Sequence, residues 1–207
     1  MYIFRRAITV KPDRYLQASQ FAVEIASKIK QISGTEVSVF ETRFGAPMGT
    51  LMWTVRVDSF ADLDTFRGKL LADPGYLELL ATGSENFATL PEDAMMNIVS
   101  SNLGASPKRY YSSTIATPAN GRITEAMAFG VSTQTYVAEH GFTAAFGASV
   151  FGPYGSVGWL VGADTMDDVD AFQAFVTTDP KFGPMVDAAG GLFVPGSGLN
   201  TLVERIN

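Results

Sequence analysis

The chain has 207 residues, 46% of them hydrophobic and 17% charged, with a formal net charge of −6. That balance fits a folded globular core and excludes a disordered chain; the acidic charge also argues against a nucleic-acid backbone as partner. There are no cysteines and one histidine, His140, so disulfides, thiolate catalysis, Cys-based metal sites and multi-His metal sites are excluded. No apolar run reaches the roughly 18 residues of a membrane helix, and Met1–Arg6 lacks the apolar core of a signal peptide, so a cytoplasmic protein is expected.

In chain order, residues 2–10 are rich in β-branched and aromatic side chains and predict a strand. Pro12 suits a first helical turn, and Ala18, Phe21, Ala22, Ile25, Ile29 and Ile32 then mark one apolar helical face that Gly34 ends. Residues 36–44 read as a second strand. After the turn Gly45–Gly49, Leu51, Trp53, Val55 and Val57 alternate with Met52, Thr54, Arg56 and Asp58 as a third strand. Ser59-x-x-Asp62 predicts a helix start, with the hydroxyl capping free N–H groups and the carboxylate at the positive helix end. Asp73-Pro74 breaks that helix and begins a short one through Leu80, and a last strand covers about 93–100.

The same series then recurs. Shifted by 106 positions, Pro12 falls on Pro118, Phe40 on Phe146, Gly49 on Gly155, Trp53 on Trp159, Asp62 on Asp168, Asp73-Pro74 on Asp179-Pro180 and Phe87 on Phe193. Both tryptophans of the chain are matched, which chance rarely achieves. The organisation is therefore a tandem duplication: residues 1–101 and 109–207 as two copies, 102–108 as linker. Each copy reads βαββαβ, a ferredoxin-like α+β unit with an antiparallel sheet. Helices on one face of each sheet leave the other bare, and the two bare faces predict an intramolecular α/β barrel.

The Trp-bearing third strand ending in Asp, the S/T-x-x-D helix start and the Asp-Pro-x-Tyr/Phe turn resemble the dimeric α/β-barrel superfamily. Here they read Trp53…Asp58, Ser59-x-x-Asp62 and Asp73-Pro74-Gly75-Tyr76, and again Trp159…Asp164, Thr165-x-x-Asp168 and Asp179-Pro180-Lys181-Phe182. That superfamily includes antibiotic-biosynthesis-type monooxygenases and NIPSNAP-like proteins. The resemblance implies a barrel with a ligand space inside it or between sheet and helices, and does not fix an activity.

No complete catalytic motif is present, so candidate residues come from placement. If the Trp53 face packs on the helices, Met52, Thr54 and Arg56 point inward. Strand 1 beside strand 3 would then bring Arg5 near Arg56, with Glu41 or a ligand carboxylate as counter-charge. The second copy instead carries Gly158, Leu160 and Gly162, with Gly147 and Ser149, at the matching inner positions. These small residues either open a pocket lined by Tyr111 and Tyr154 or make room for larger side chains of the first copy, such as Met52 and Arg56. His140 is a candidate base or haem ligand, or a helix C-cap before Gly141; at the ungapped shift its counterpart is Gly34. Asp62, Asp64, Asp167, Asp168 and Asp170 read as helix-start aspartates, and no metal site is expected.

The functional expectation is a small-molecule binder or cofactor-independent enzyme of monooxygenase or cyclase/isomerase type. It would use Arg5, Arg56, Glu41, Tyr111 and His140 in an asymmetric cavity, with a hydrophobic or carboxylated ligand and no cofactor. The alternatives are a packed assembly protein and haem binding through His140. A homodimer of the fused chain is open, and neither nucleic acid nor membrane is expected as a partner. Residues 1–101 hold ten basic residues and residues 102–207 five, so any site is expected to be asymmetric.

Overall fold

The computed structural model describes residues 1–207. The first copy runs β1 (Tyr2–Thr9), α1 (Tyr15–Ser33), β2 (Ser38–Phe44), β3 (Thr50–Val57), α2 (Phe60–Leu71), α3 (Pro74–Gly83) and β4 (Glu92–Ser101). The second runs β5 (Tyr110–Ala116), α4 (Ile123–Glu139), β6 (Thr143–Phe151), β7 (Val157–Ala163), α5 (Met166–Thr178), α6 (Phe182–Ala188) and β8 (Leu199–Arg205). The eight strands close in the order β1-β3-β2-β8-β5-β7-β6-β4, an antiparallel α+β barrel. Compact units do not follow the duplication strictly: one comprises Met1–Met95 with Glu204–Asn207, the other Met96–Val203. Each unit thus takes a strand end from the other repeat.

Within the first unit the predicted faces hold. Ala18, Phe21, Ala22, Ile25, Ala26 and Ile29 are the buried stripe of α1. They pack on Ile8, Val39, Leu51 and Val55, with Trp53 and Phe4 partly buried beside them. Gly34 ends α1 with φ 76°, its N–H bonded to the Lys30 carbonyl at 2.9 Å. That left-handed geometry is one a side chain would strain. Ser59 accepts the Asp62 N–H at the start of α2, and Thr165 with Asp168 closes a reciprocal capping box on α5. The aspartates read from the sequence as helix-start residues therefore include two that serve in caps.

The repeat is visible as equivalent three-ring clusters. Phe21 and Trp53 both meet Phe87, and Phe129 and Trp159 both meet Phe193, all at centroid distances of 5.7–6.3 Å. Each indole donates to a helix carbonyl, Trp53 to Ala22 at 3.1 Å and Trp159 to Gly130 at 3.3 Å.

The strand registers correct the ungapped alignment. Arg6 lies opposite Trp53 and Thr114 opposite Trp159, an offset of 108 in the first strand. Val39 lies opposite Trp53 and Phe146 opposite Trp159, an offset of 107 in the second. Only from the third strand onward is 106 the structural offset. The matches of Pro12 to Pro118 and Phe40 to Phe146 are therefore coincidences of the shift, and His140 corresponds to Ser33.

Candidate functional site

A cavity of about 360 Å³ lies in the first unit between the helix-facing side of β1–β3 and the helices α1, α2 and α3. Because side chains alternate along a strand, Phe4, Arg6 and Ile8 of β1 project to the same side as Trp53 and Val55 of β3. Phe21 and Ile25 of α1, Phe66 and Leu70 of α2, and Leu80 of α3 complete an apolar wall, with Phe87 and Leu90 beyond.

Two cationic side chains, Arg6 and Arg67, and one phenol, Tyr76, line this largely apolar space, which Thr54, Ser84 and Thr89 also border. The Arg6 guanidinium is fixed by a two-pronged bond to the Asp93 carboxylate, both distances 2.7 Å. That bond, set against partial burial, raises its pKa and keeps the charge in place. Tyr76 is 7% exposed, positioned by α3, whose N-terminus the Asp73 carboxylate caps by accepting the Tyr76 N–H at 2.8 Å. Burial pushes the Tyr76 hydroxyl above its usual range, while the charges of Arg6 and Arg67 pull it back. A polar atom bearing negative charge placed near that hydroxyl would meet two cations and a donor.

The corresponding positions of the second copy differ in kind. By register and offset, Arg6 corresponds to Thr114, Arg67 to Gln173 and Tyr76 to Phe182. There Phe142, Phe172, Phe175 and Phe182 pack on Val137, Ala144 and Val161, with ring centroids 5.2–6.3 Å apart. The helix side of the sheet is thus asymmetric between the copies.

Of the residues singled out from sequence, Arg5 and Arg56 are brought together and the others are not. Arg5 and Arg56 share the inner face: Arg5 pairs with Thr54, and Arg56 is two residues further along β3. Glu41 does not join them. It lies opposite Leu51, on the helix-facing side, 7% exposed, and its partner is Arg43 at 3.5 Å, which also reaches Glu204. The expectation of Glu41 as counter-charge to Arg5 fails because a strand's neighbouring positions face opposite ways.

Tyr111 is buried and its hydroxyl accepts the Lys108 N–H at 3.0 Å. Around it the inner glycines are covered. A Cβ on Gly147 would meet the Asn97 carbonyl at 2.5 Å and the Met96 side chain at 2.8 Å, and on Gly158 it would meet Met96 at 2.8 Å. On Gly162 it would strike the Lys108 stem at 2.8 Å. Close packing, by Met96 and Lys108 rather than Met52 and Arg56, explains the small residues. Tyr154 is fully exposed in the β6–β7 turn and lines nothing there.

His140 is the C-cap of α4. Its Nδ1 lies 2.8 Å from the Tyr136 carbonyl, Nε2 lies 4.0 Å from Asp179, and the ring packs on Tyr136 and Phe175. It is not among the residues of the first unit's cavity.

Glu41 gives a pH-dependent expectation. Burial raises its pKa most, Arg43 lowers it, and Glu204 raises it again, with a net upward shift. The folded state then holds this proton more tightly than the unfolded chain, so stability is lost as pH rises from the unfolded value through the folded one. Glu41→Gln is expected to be more stable than the parent at pH 7, with the difference shrinking toward pH 4. Thermal melts across that range read it directly.

No protein-family model and no curated protein sequence matches the chain. Solved structures do. A candidate monooxygenase from Fusobacterium nucleatum subsp. nucleatum is similar at TM-score 0.73 with 8% identity, over 100% of this chain and 92% of that one. An anthrone oxidase-like protein is similar at 0.67 with 13% identity, over 100% and 91%. The chain has the dimeric α/β-barrel fold, fused into one polypeptide. This fold does not dictate a single role: a major regulator of staphylococcal pathogenesis is similar at TM-score 0.60 and 11% identity, over 100% of both chains.

Proposed function

We propose that the chain binds a small, flat, largely apolar ligand carrying an ionisable oxygen, and that the ligand occupies the first copy's cavity. One observation carries this reading: a largely apolar space of about 360 Å³ whose cationic and phenolic lining, Arg6, Arg67 and Tyr76, is replaced by Thr114, Gln173 and Phe182 in the second copy. Such a volume with few convergent polar groups is the usual form of a ligand pocket. A chain that served only as a packed assembly module would gain by filling it, as the phenylalanines of the second copy do.

The aromatic walls favour stacked rings, and the paired cations favour an anionic oxygen at the Tyr76 end. As an enzyme the chain would work on the ligand's own anion. Arg67 and the Asp93-fixed Arg6 would hold a phenolate or enolate, the electron-rich form able to react with dioxygen without a bound metal. The anthrone oxidase-like and monooxygenase-like neighbours share the fold on which this reading is placed.

The test is titration with 1-anilinonaphthalene-8-sulfonate, an aromatic anion, followed by its own fluorescence and by quenching of Trp53, with oxygen uptake measured separately on anthrone. Saturable binding is expected, weakened about tenfold in Arg67→Met and about threefold in Tyr76→Phe, the range for one charge-assisted and one neutral hydrogen bond. Binding indifferent to both substitutions would place the ligand elsewhere and sink the proposal. Absence of oxygen uptake would leave binding without oxygenation.

A further inference from the structure

The inner face of the first copy's sheet carries an arrangement of which the cavity touches Thr54 alone. Across β1, β3 and β2 the register sets Arg5, Thr54 and Ser38 in one row, Arg5 opposite Thr54 and Thr54 opposite Ser38. Directly opposed residues in antiparallel strands have Cβ atoms about 5 Å apart, and diagonal neighbours lie within reach of a long side chain. Arg56 is the diagonal neighbour of Arg5, since Arg56 pairs with Ile3 two residues before it. A guanidinium, two hydroxyls and a second guanidinium therefore share one small patch of sheet.

We propose that this row is a second binding site, for a tetrahedral oxyanion such as a phosphate or sulfate group. Its donors are two cationic forks and two hydroxyls, a set that matches several oxygens of one anion. Ser38 is 7% exposed, whereas Arg5, Thr54 and Arg56 are half-buried, so solvent reaches the row from the arginine side.

The charge balance points the same way. Burial lowers the pKa of Arg5, and the acid whose charge opposes that is Glu92, an exposed residue acting through its field. A half-buried cation balanced only at a distance is costly, and an anion seated on it relieves the cost. The second copy has lost the whole set together. Arg5, Thr54 and Ser38 correspond to Ser113, Leu160 and Ala145, which are likewise opposed across β5, β7 and β6. Arg56 corresponds to Gly162, where the Lys108 stem and the Tyr111 ring fill the space.

The row's arginines face away from the helix-side cavity, because successive strand residues face opposite ways and the cavity uses Arg6; Thr54 alone borders both. Sodium sulfate and sodium phosphate, each compared with sodium chloride at matched ionic strength, test it by thermal shift and calorimetry. The intact chain is expected to show saturable stabilisation by both oxyanions and none by chloride. Arg5→Met should weaken binding at least tenfold and Ser38→Ala about threefold. Glu92→Gln should strengthen it about twofold by removing an opposing charge. Arg67→Met should leave it unchanged, although the same substitution weakens the naphthalene sulfonate in the cavity. Equal stabilisation by chloride, or unaltered sulfate affinity in Arg5→Met, would overturn the proposal. Should Arg5→Met fail to fold, unchanged affinity in both Ser38→Ala and Glu92→Gln overturns it equally.

Discussion

Phe146→Ala is expected to lower unfolding free energy by about 3–5 kcal/mol, the range for removing a fully buried aromatic ring. Phe146 has no exposed surface and its ring lies 5.1 Å from that of Trp159. What makes the site unforgiving is the opposite wall. A Cβ built on Gly130 of α4 would stand 2.0 Å from the Phe146 ring, so the helix approaches β6 only because that position is glycine. Gly130 also supplies the carbonyl that accepts the Trp159 indole N–H. With the ring removed, a glycine and a backbone carbonyl line the hole, and neither can extend to fill it.

The reciprocal change is expected to fail too. Gly130→Ala gains about 1 kcal/mol of helix propensity but forces a methyl group into the ring, and a net loss of about 1–3 kcal/mol should result. The first copy shows the alternative solution. Its equivalents, Ala22 and Val39, are both fully buried, so a larger helix residue faces a smaller strand residue. Gly130→Ala combined with Phe146→Val should therefore recover a good part of the loss caused by Phe146→Val alone, a coupling of at least about 1 kcal/mol. Guanidinium denaturation of the four proteins measures it; simple additivity would show that the two residues do not share a contact.

That exchanged pair also shows which parts of the structure the sequence could reveal. The duplication was legible from matched tryptophans and Asp-Pro turns, because caps and breakers act locally and keep their spacing. The fold followed from strand and helix periods once each element could be read twice. The one-residue slips before β6 and before β7 were not legible, since an ungapped shift still pairs Phe40 with Phe146 and hides the match with Val39. The candidate site was missed for a related reason. Arg5 and Arg6 are adjacent, and sequence reasoning followed Arg5 to Arg56 on the inner face, whereas the cavity uses Arg6. Choosing between adjacent strand residues requires the phase of the alternation. Phe4, Arg6 and Ile8 alternate in the same phase as the Trp53 face, which was a usable signal. The change from Tyr76 to Phe182 within otherwise matched Asp-Pro-x-aromatic turns was another. Glu41 was misplaced because the phase of β2 relative to β3 depends on pairing that the sequence does not display.

Leu80→Trp is expected to move ligand binding and stability in opposite directions. Leu80 is a partly buried residue of α3 that lines the cavity, so a larger side chain there extends into space instead of into packed atoms. The added rings would bury apolar surface against Phe66 and Phe87, and at about 25 cal/mol per Å² even 40–80 Å² of it contributes about 1–2 kcal/mol of stability. Ordinary core positions behave otherwise, since enlarging a side chain in a close-packed interior costs about 1–3 kcal/mol. The same rings would occupy the volume that 1-anilinonaphthalene-8-sulfonate needs, and its affinity should fall at least about a hundredfold, a change of roughly 2.7 kcal/mol. Thermal melts and a dye titration on one preparation give both numbers. A stability loss with unchanged dye affinity would mean that the space beside Leu80 is neither free nor used. Opposed movements would separate this substitution from Arg67→Met, which removes the anion contact while leaving the apolar volume open. Since Val186 stands where Leu80 does and is exposed, Val186→Trp in the second copy is the matched control and should leave the dye affinity of the first copy's cavity unchanged.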